Sequence, residues 1–211
     1  MNAAAAPIHP FQPPESPAII LASQSGIRRR LLINAGILFE SKAVAIDEES
    51  IKQACQAEGT SPENTALLLA EMKAARIRVN GALIIGADQL LVCENRWFDK
   101  PKNRDEARTQ LQFLRGKKHT LYTAVSVLRD DRVMWHHIET PTLIMRDFSD
   151  RFLETYLDQE LPGILSCVGA YRLEGPGVQL FDKISGDHSS ILGLPILALL
   201  GLLRNNGAVM A

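Results

Sequence analysis

Short apolar runs with strand character alternate with capped amphipathic helices along this chain of 211 residues. The clearest strand is ALIIGADQLLV at 82–92. The clearest helix is SPENTALLLAEMKAARIRVNG at 61–81, where Ser61 is a suitable N-cap and Pro62 a suitable first residue. Internal repeats are absent from the sequence. This alternation predicts an α/β fold with a mixed twisted sheet and flanking helices.

The length suits one large domain or two small lobes that share a core. Residues 18–206 are predicted to form a single α/β domain, preceded by a flexible arm rich in proline and alanine at 1–17 and followed by a tail at 207–211. The arm lacks the basic segment of a signal peptide. The apolar run ILGLPILALLGLL at 191–203 is too short to span a bilayer and predicts one buried helix.

Net charge and cysteine content restrict the function classes. A formal charge of −1 provides no overall field that would attract nucleic acid or a membrane surface. The three cysteines are widely spaced and form no CxxC pair, which favours a reducing compartment and hence the cytoplasm. Any attraction for an anion must therefore be local.

One local cluster of positive charge lies in ASQSGIRRRLL at 22–32, where a strand is followed by a helix. The free N–H groups of a helix N-terminus suit phosphate, and Ser23 and Arg28 supply further donors. A solvated basic helix face is the alternative interpretation, and the stretch alone leaves both open. Arg29 and Arg30 diverge from Arg28 by steps of roughly 100°, so at least one is expected to be solvated.

Asp88 lies in the middle of the strand at 82–92. A buried carboxylate is costly unless it is paired, bound to metal or catalytic, which favours a functional role. The alternative is an aspartate at a bend between two strands, which Gly86 would permit.

Other charged residues are ambiguous on their own. Lys73 lies near the apolar face of its helix, but lysines in such positions usually extend to solvent. Lys100 precedes Pro101 and has the pattern of a surface lysine. Asp47 and Glu48 are suitable oxygen ligands for a divalent cation, although an acidic turn is the commoner explanation.

Six motifs occur in an order that resembles the Maf family of nucleoside triphosphate pyrophosphatases. They are LASQSGIRRRLL, IDEES, LLLAEMKAA, IIGADQLLV, DKPKNRDEARTQLQFLRGKKHTLYTAVSVL and VGAYRLEGPGVQLFDKISGDHSSILGLPILALLGLLR. The resemblance extends from about Ala18 to Arg204. It implies an α/β fold with two lobes around a central cleft, related to the inosine triphosphate pyrophosphatases.

The resemblance also implies an activity. Members of the family hydrolyse a nucleoside triphosphate between its α and β phosphates, giving a monophosphate and pyrophosphate, and they need a divalent cation such as Mg²⁺, Mn²⁺ or Co²⁺. They are often homodimers. Their partners are nucleoside triphosphate substrates, with no nucleic acid or membrane.

Site residues follow from the resemblance motif by motif. Ser23 and Arg28 correspond to the phosphate-loop residues. The remaining polar site corresponds to Glu48, Lys73, Asp88 and Lys100. Asp88 is implied to be the proton acceptor, and Glu48 and Asp88 are implied to hold the metal.

Three residues bear on the choice of base. The dTTP/UTP subgroup usually has Asp-Thr where this chain has Asp88-Gln89, and glutamine where it has Glu174. The sequence thus resembles the 7-methyl-GTP subgroup at two positions. Ile27 departs from that subgroup, which usually has tryptophan there. Three alternatives stay open: a dTTP/UTP pyrophosphatase, a hydrolase that attacks the γ phosphate, and a nucleotide-binding regulator of cell division.

Overall fold

A computed structural model describes residues 10–211 of the chain, and within them helices alternate with strands. The strands are β1 (Ile19–Leu21), β2 (Glu40–Ser41), β3 (Leu83–Cys93), β4 (Arg96–Phe98), β5 (Lys118–Arg129), β6 (Arg132–Glu139), β7 (Thr142–Met145) and β8 (Phe181–Ser185). The α-helices are α1 (Gly26–Asn34), α2 (Glu48–Ala57), α3 (Pro62–Ala75), α4 (Arg104–Leu114), α5 (Asp150–Glu160), α6 (His188–Ile191) and α7 (Ile196–Asn205). Short 3₁₀ turns span Gly163–Ser166, Val168–Ala170 and Pro176–Leu180.

The described residues form two compact units that are not consecutive in sequence. The first contains the described residues up to Asp88, together with Ala124–Ile138 and Gly193–Ala211. The second contains Gln89–Thr123 and Glu139–Leu192. Strands β3 and β5 each begin in one unit and end in the other.

In the first unit, β1 and the first half of β3 are buried on both faces. β1 pairs in parallel with β2 and with the first half of β3. Because side chains alternate along a strand, Leu83 and Ile85 pack in a cluster with residues of α1 and α7, whereas Ile84 packs with Ala74 and Ile77 at the end of α3. Strands covered on both faces have continuous apolar runs, which explains the sequence of β3.

Gly86 allows α3 to lie unusually close to β3. A Cβ atom at this position would lie 2.0 Å from the carbonyl oxygen of Ala70 and 2.9 Å from the nitrogen of Ala74. β3 continues through Gly86 without a break, so the interpretation of this glycine as a bend is wrong. Its role is a close approach of helix backbone to strand backbone.

The second unit is built on antiparallel pairs. β4 pairs with the second half of β3, and β7 pairs with both β5 and β8. Its apolar core lies among α4, α5 and these strands. Within it, His119 Nε2 and the Tyr171 hydroxyl lie 2.9 Å apart, and burial lowers the pKa of His119 to about 4. Parallel and antiparallel pairs together confirm the predicted α/β class with a mixed sheet.

The N-cap predicted at Ser61 is confirmed, and two other helices begin in the same way. Ser25, Ser61 and Ser149 each accept a hydrogen bond at the start of a helix. Asp130 and Asp131 both adopt positive φ in the turn between β5 and β6, as a two-residue hairpin turn requires.

The predicted single helix at 191–203 is wrong. The chain breaks after α6, where Gly193 has a φ of +104° and Pro195 precedes α7. Proline lacks an N–H donor, and a positive φ is not helical, so the apolar run divides at this point. None of the helices within 10–211 is long and apolar enough to cross a membrane.

The predicted arm at 1–17 falls partly outside the described residues. From residue 10 onward it belongs to the first unit. Met210 donates its N–H to the carbonyl of Phe11, and the Gln12 side chain forms hydrogen bonds with the backbone of Leu38 in both directions. The flexibility of the arm stays a prediction.

We expect Gly86→Ala to lower the free energy of unfolding by about 1–3 kcal/mol, because the new methyl group overlaps the α3 backbone. Urea denaturation measures the change. Gly201→Ala in α7 is the matched control, since a Cβ at 201 meets no atom within 4 Å. The control should be neutral or stabilising by up to about 1 kcal/mol. Equal stability of the Gly86→Ala variant and the wild type would contradict the close approach.

Candidate active site

Three charged side chains meet in the first unit, each from a different element. Lys73 lies in the last turn of α3, Asp88 in β3, and Glu48 is the first residue of α2. Lys73 Nζ lies 2.5 Å from Asp88 Oδ1 and 2.8 Å from Glu48 Oε1. The structure therefore brings together three of the residues that the resemblance implied.

Lys73 and Asp88 are both buried. Their side chains are 10% and 5% exposed, respectively. Lys73 does not extend to solvent, so the usual behaviour of a lysine at such a position does not apply here. Removing one partner of a buried ion pair destabilises a protein by about 3–5 kcal/mol, so each of these charges needs the other.

Gly86 explains why the pair can form. Residues 86 and 88 lie on the same face of β3, because side chains alternate along a strand. Gly86 lies against the turn of α3 from Ala70 to Ala74, and this turn carries Lys73, whose ammonium reaches Asp88. Sequence reasoning missed this role, although a glycine inside an apolar strand is a known signal of close packing.

The second carboxylate oxygen of Asp88 is the unusual feature of the cluster. Asp88 Oδ2 is fully buried and has no hydrogen-bond partner within residues 10–211. Buried polar atoms are nearly always satisfied, so an orphaned carboxylate oxygen indicates a missing partner such as a cation, a water or a substrate group.

Asp47 has a structural role. Its carboxylate accepts hydrogen bonds from the N–H and the hydroxyl of Ser50, at 3.1 and 2.7 Å, and so caps α2. These bonds, chiefly the one from the Ser50 hydroxyl, lower the pKa of Asp47. Glu48 instead points to Lys73, and its Oε2 lies 3.9 Å from Lys52 Nζ one turn along the helix.

The loop between β1 and α1 is held by hydrogen bonds of serine hydroxyls, within the loop and from β2. Ser23 is buried, and its hydroxyl accepts a hydrogen bond from the backbone N–H of Ser25 at 3.1 Å. The Ser23 carbonyl accepts one from the Ser41 hydroxyl at 3.0 Å. These contacts fix the loop just before the helix N-terminus, where the sequence predicted phosphate binding.

Arg28 is anchored, whereas Arg29 and Arg30 are exposed. Its Nε donates a 2.7 Å hydrogen bond to the carbonyl of Gly193. Burial lowers the pKa of Arg28, and the carboxylates of Asp88 and Glu48 oppose that effect. Arg28 therefore belongs to the electrostatic surroundings of the Glu48–Lys73–Asp88 cluster.

The role of Gly193 was not predicted. Its positive φ turns its carbonyl toward Arg28, and a Cβ at this position would lie 3.4 Å from Arg28 Nε. The two residues are 165 positions apart in the chain, so no local pattern could have linked them.

The donor set of the cluster suits a divalent cation that arrives with phosphate. Within residues 10–211 there is no group of three or more His, Cys, Asp or Glu side chains that would hold a metal by itself. Magnesium, however, is usually bound through one or two carboxylates plus substrate phosphates. Glu48 and the orphaned oxygen of Asp88 fit that pattern.

Gln89 lies in the second unit and its side-chain amide is occupied. Gln89 Nε2 lies within hydrogen-bonding distance of Thr123 Oγ1 and of the carbonyls of Ser190 and Ile191, at 2.8, 3.0 and 3.1 Å. Asp88 and Gln89 are successive strand residues, so their side chains leave opposite faces of β3. Gln89 thus braces the chain at Ser190–Ile191, and its part in base choice stays a prediction.

Lys100 and Glu174 also lie in the second unit, and both are exposed. Burial raises the pKa of the Cys167 thiol; Glu174 raises it further, whereas Arg172 and Lys100 lower it. Lys100 and Glu174 are thus neighbours of the same thiol. Ile27, the third candidate for base choice, is half-buried in the first turn of α1 in the first unit.

Known proteins resemble this chain over most of its length. The family model described as Maf-like protein matches residues 18–206. A nucleoside triphosphate pyrophosphatase of Granulibacter bethesdensis is 51% identical over 193 residues, which cover 90% of this chain and 98% of that protein. One of Paramagnetospirillum magneticum is also 51% identical, over 90% of this chain and all of its own.

A third relative carries a more specific name. The 7-methyl-GTP pyrophosphatase of Rhizobium meliloti is 45% identical over 197 residues, which cover 92% of this chain and 99% of that protein. Two kinds of pyrophosphatase name therefore occur among close relatives. Because the family match spans most of the chain and includes every candidate site residue, this protein belongs to the Maf family.

Proposed function

We propose that this protein is a nucleoside triphosphate pyrophosphatase that hydrolyses the bond between the α and β phosphates. The observation that carries the proposal is the buried Asp88, whose Oδ1 pairs with Lys73 and whose Oδ2 lacks a partner among the described residues. Family membership and the names of close relatives support the same reaction.

The positively charged side chains of the first unit suit the binding of a triphosphate. Arg28 donates one guanidinium N–H to Gly193, which leaves other N–H donors of the group for phosphate oxygens. The buried ammonium of Lys73 and the hydroxyl of Ser23 add to this binding surface. Positive groups held in place before the reaction stabilise the charge that develops on the departing pyrophosphate. Lys100 is proposed to bind the phosphates as well.

Asp88 is proposed to act on the attacking water. The water oxygen forms a bond to the α phosphorus, and its proton passes to Asp88 Oδ2. The bond between the α phosphorus and the bridging oxygen breaks, and its electron pair leaves with pyrophosphate. Asp88 Oδ1 stays paired with Lys73, which holds the carboxylate in one orientation. An alternative role for Asp88, as a ligand for the metal that activates the water, stays open.

We propose that Glu48 and Asp88 hold a divalent cation, Mg²⁺, Mn²⁺ or Co²⁺. When bound, the cation would neutralise phosphate charge and make the water more acidic. Lys73 contacts both carboxylates and so sets their spacing.

Base choice is the finer part of the proposal. Glu174 offers carboxylate oxygens that accept hydrogen bonds from the N1–H and amino group of a guanine, and thymine has no equivalent pair of donors. We propose a preference for guanine-type triphosphates, with 7-methyl-GTP as the preferred one. Ile27 supplies no aromatic face for stacking on a methylated base, so Ile27→Trp should raise selectivity for it. The cytoplasmic location and the homodimer stay predictions.

The reaction itself is tested by incubating the purified chain with GTP, 7-methyl-GTP, UTP and dTTP, each with Mg²⁺, Mn²⁺ or Co²⁺. Monophosphate and pyrophosphate should be the only products, and chelation of the cation should stop their formation. Chromatography of nucleotides and a coupled pyrophosphate assay measure both. Diphosphate and orthophosphate would instead indicate attack at the γ phosphate, and binding without turnover would indicate a regulator.

Asp88→Asn should lower kcat by about 100-fold or more, because the amide keeps the shape but cannot accept the proton. Circular dichroism should show an unchanged fold. Asp182→Asn is the control, since Asp182 is an exposed aspartate of the second unit. Near-normal turnover of a folded Asp88→Asn variant would refute the proposed role.

Glu174→Gln should reduce the preference for GTP over UTP by about tenfold or more, since loss of a charged hydrogen bond costs about 1.5–3 kcal/mol. The ratio of the two kcat/KM values is the measurement. Gln89 is left unchanged, because its amide braces Ser190 and Ile191 and its loss would disturb the fold. Glu58→Gln, at an exposed position after α2, is the control. An unchanged ratio would show that Glu174 does not read the base.

A further inference from the structure

Arg172 makes an ion pair in the second unit and has no part in the proposed binding or cleavage of phosphate. Its Nε donates a 2.9 Å hydrogen bond to Oε2 of Glu160, the last residue of α5. The Glu160 side chain is only 6% exposed, and that of Arg172 is 35% exposed. A carboxylate buried to this extent needs its partner, so Arg172 ties the chain at 172 to the end of α5.

Glycines enclose this pair. A Cβ at Gly163 would lie 2.9 Å from Arg172 Nη1, and one at Gly177 would lie 2.3 Å from the Arg172 carbonyl oxygen. A Cβ at Gly175 would lie 3.5 Å from Glu160 Oε2. A larger residue would not fit at 177, where the neighbouring atoms are backbone, and at 163 it would displace the Arg172 guanidinium. The segment 172–177 is therefore fixed at both of its ends.

Glu174 lies inside the fixed segment, two residues after Arg172. It is exposed, whereas its neighbours Leu173 and Gly177 are buried. The pKa of Arg172 is raised chiefly by its hydrogen bond to Glu160, and the charge of Glu174 adds to the effect. The guanidinium thus has one carboxylate as its bonded partner and a second one nearby.

We propose that Arg172 is a positioning residue for base recognition: by pairing with Glu160 it holds the segment that presents Glu174 to the nucleotide base. The proposal rests on the proposed function, because it needs Glu174 to read the base. The ligand class is a purine with two adjacent N–H donors on its pairing edge. A carboxylate recognises such an edge only when its position is fixed, because hydrogen bonds weaken steeply away from linear geometry.

Because Arg172 lies in the second unit, its loss should affect base recognition and leave the phosphate-binding groups intact. The phosphate-binding and proton-accepting groups, including Lys73 and Asp88, belong to the first unit. A mobile Glu174 should therefore raise KM for guanine-type substrates and leave kcat nearly unchanged. KM for UTP, which lacks the purine donors, should stay the same. A general loss of structure would instead change the kinetic constants for both substrates together.

Three variants test the proposal by steady-state kinetics with GTP and UTP. Arg172→Gln removes the pair, and the double variant Glu160→Gln/Arg172→Gln removes it without leaving a buried charge. Arg172→Lys keeps a cation opposite Glu160. Arg104→Gln is the matched control, because Arg104 also pairs with α5, through Glu154 and Asp158, whose side chains are much less buried than that of Glu160. Thermal melting establishes which variants are folded, and the double variant is used where Arg172→Gln is not.

The expected result is at least about a tenfold fall in the GTP-to-UTP ratio of kcat/KM, carried by KM, in the variants without the arginine. Arg172→Lys should restore part of the ratio, and Arg104→Gln should change it by less than about twofold. A folded variant with an unchanged ratio, an equal loss for both nucleotides, or a wild type that does not discriminate between them would overturn the proposal. Release of pyrophosphate by the wild type in these same assays would still support the proposed function.

Discussion

The buried ion pair between Lys73 and Asp88 is the interaction on which the site depends. A lysine and an aspartate this deeply buried are stable only as partners, because an isolated charge in a protein interior is strongly destabilising. The pair fixes the distance between α3 and β3, and Lys73 extends the arrangement to Glu48 on α2. Three elements that are separate in sequence are therefore held by one ammonium group, and Asp88 still keeps an oxygen for chemistry.

Glycine makes such pairs geometrically accessible in both units. Gly86 brings the backbone of α3 against β3 beside the Lys73–Asp88 pair. Gly177 lets backbone pack against the backbone of Arg172, and Gly163 leaves room for the Arg172 guanidinium beside its pair with Glu160. At each of these positions glycine matters because it has no side chain, and not because its backbone is flexible. The first pair holds reactive groups, and the second holds the segment that carries a candidate specificity residue.

Local signals made much of the fold predictable. The N-cap predicted at Ser61 depends on a few neighbouring residues, and the structure confirms it. Asp88 could be singled out because the burial of a lone carboxylate in an apolar strand needs a reason. The bond from Arg28 to Gly193 joins residues far apart in sequence, so no local pattern shows it. The prediction of one helix over 191–203 was wrong because Gly193 and Pro195 interrupt the apolar run before α7.

A double-mutant cycle on Lys73 and Asp88 tests the central claim most directly. Lys73→Met, Asp88→Asn and the combined variant would be compared with the wild type by urea denaturation. The account predicts that each single change destabilises by about 3–5 kcal/mol, because it leaves a charge buried without its main partner. The combined change should then be milder than the sum by at least about 1.5 kcal/mol. Single effects that add to within about 0.5 kcal/mol would contradict the account, because independent sites behave in that way.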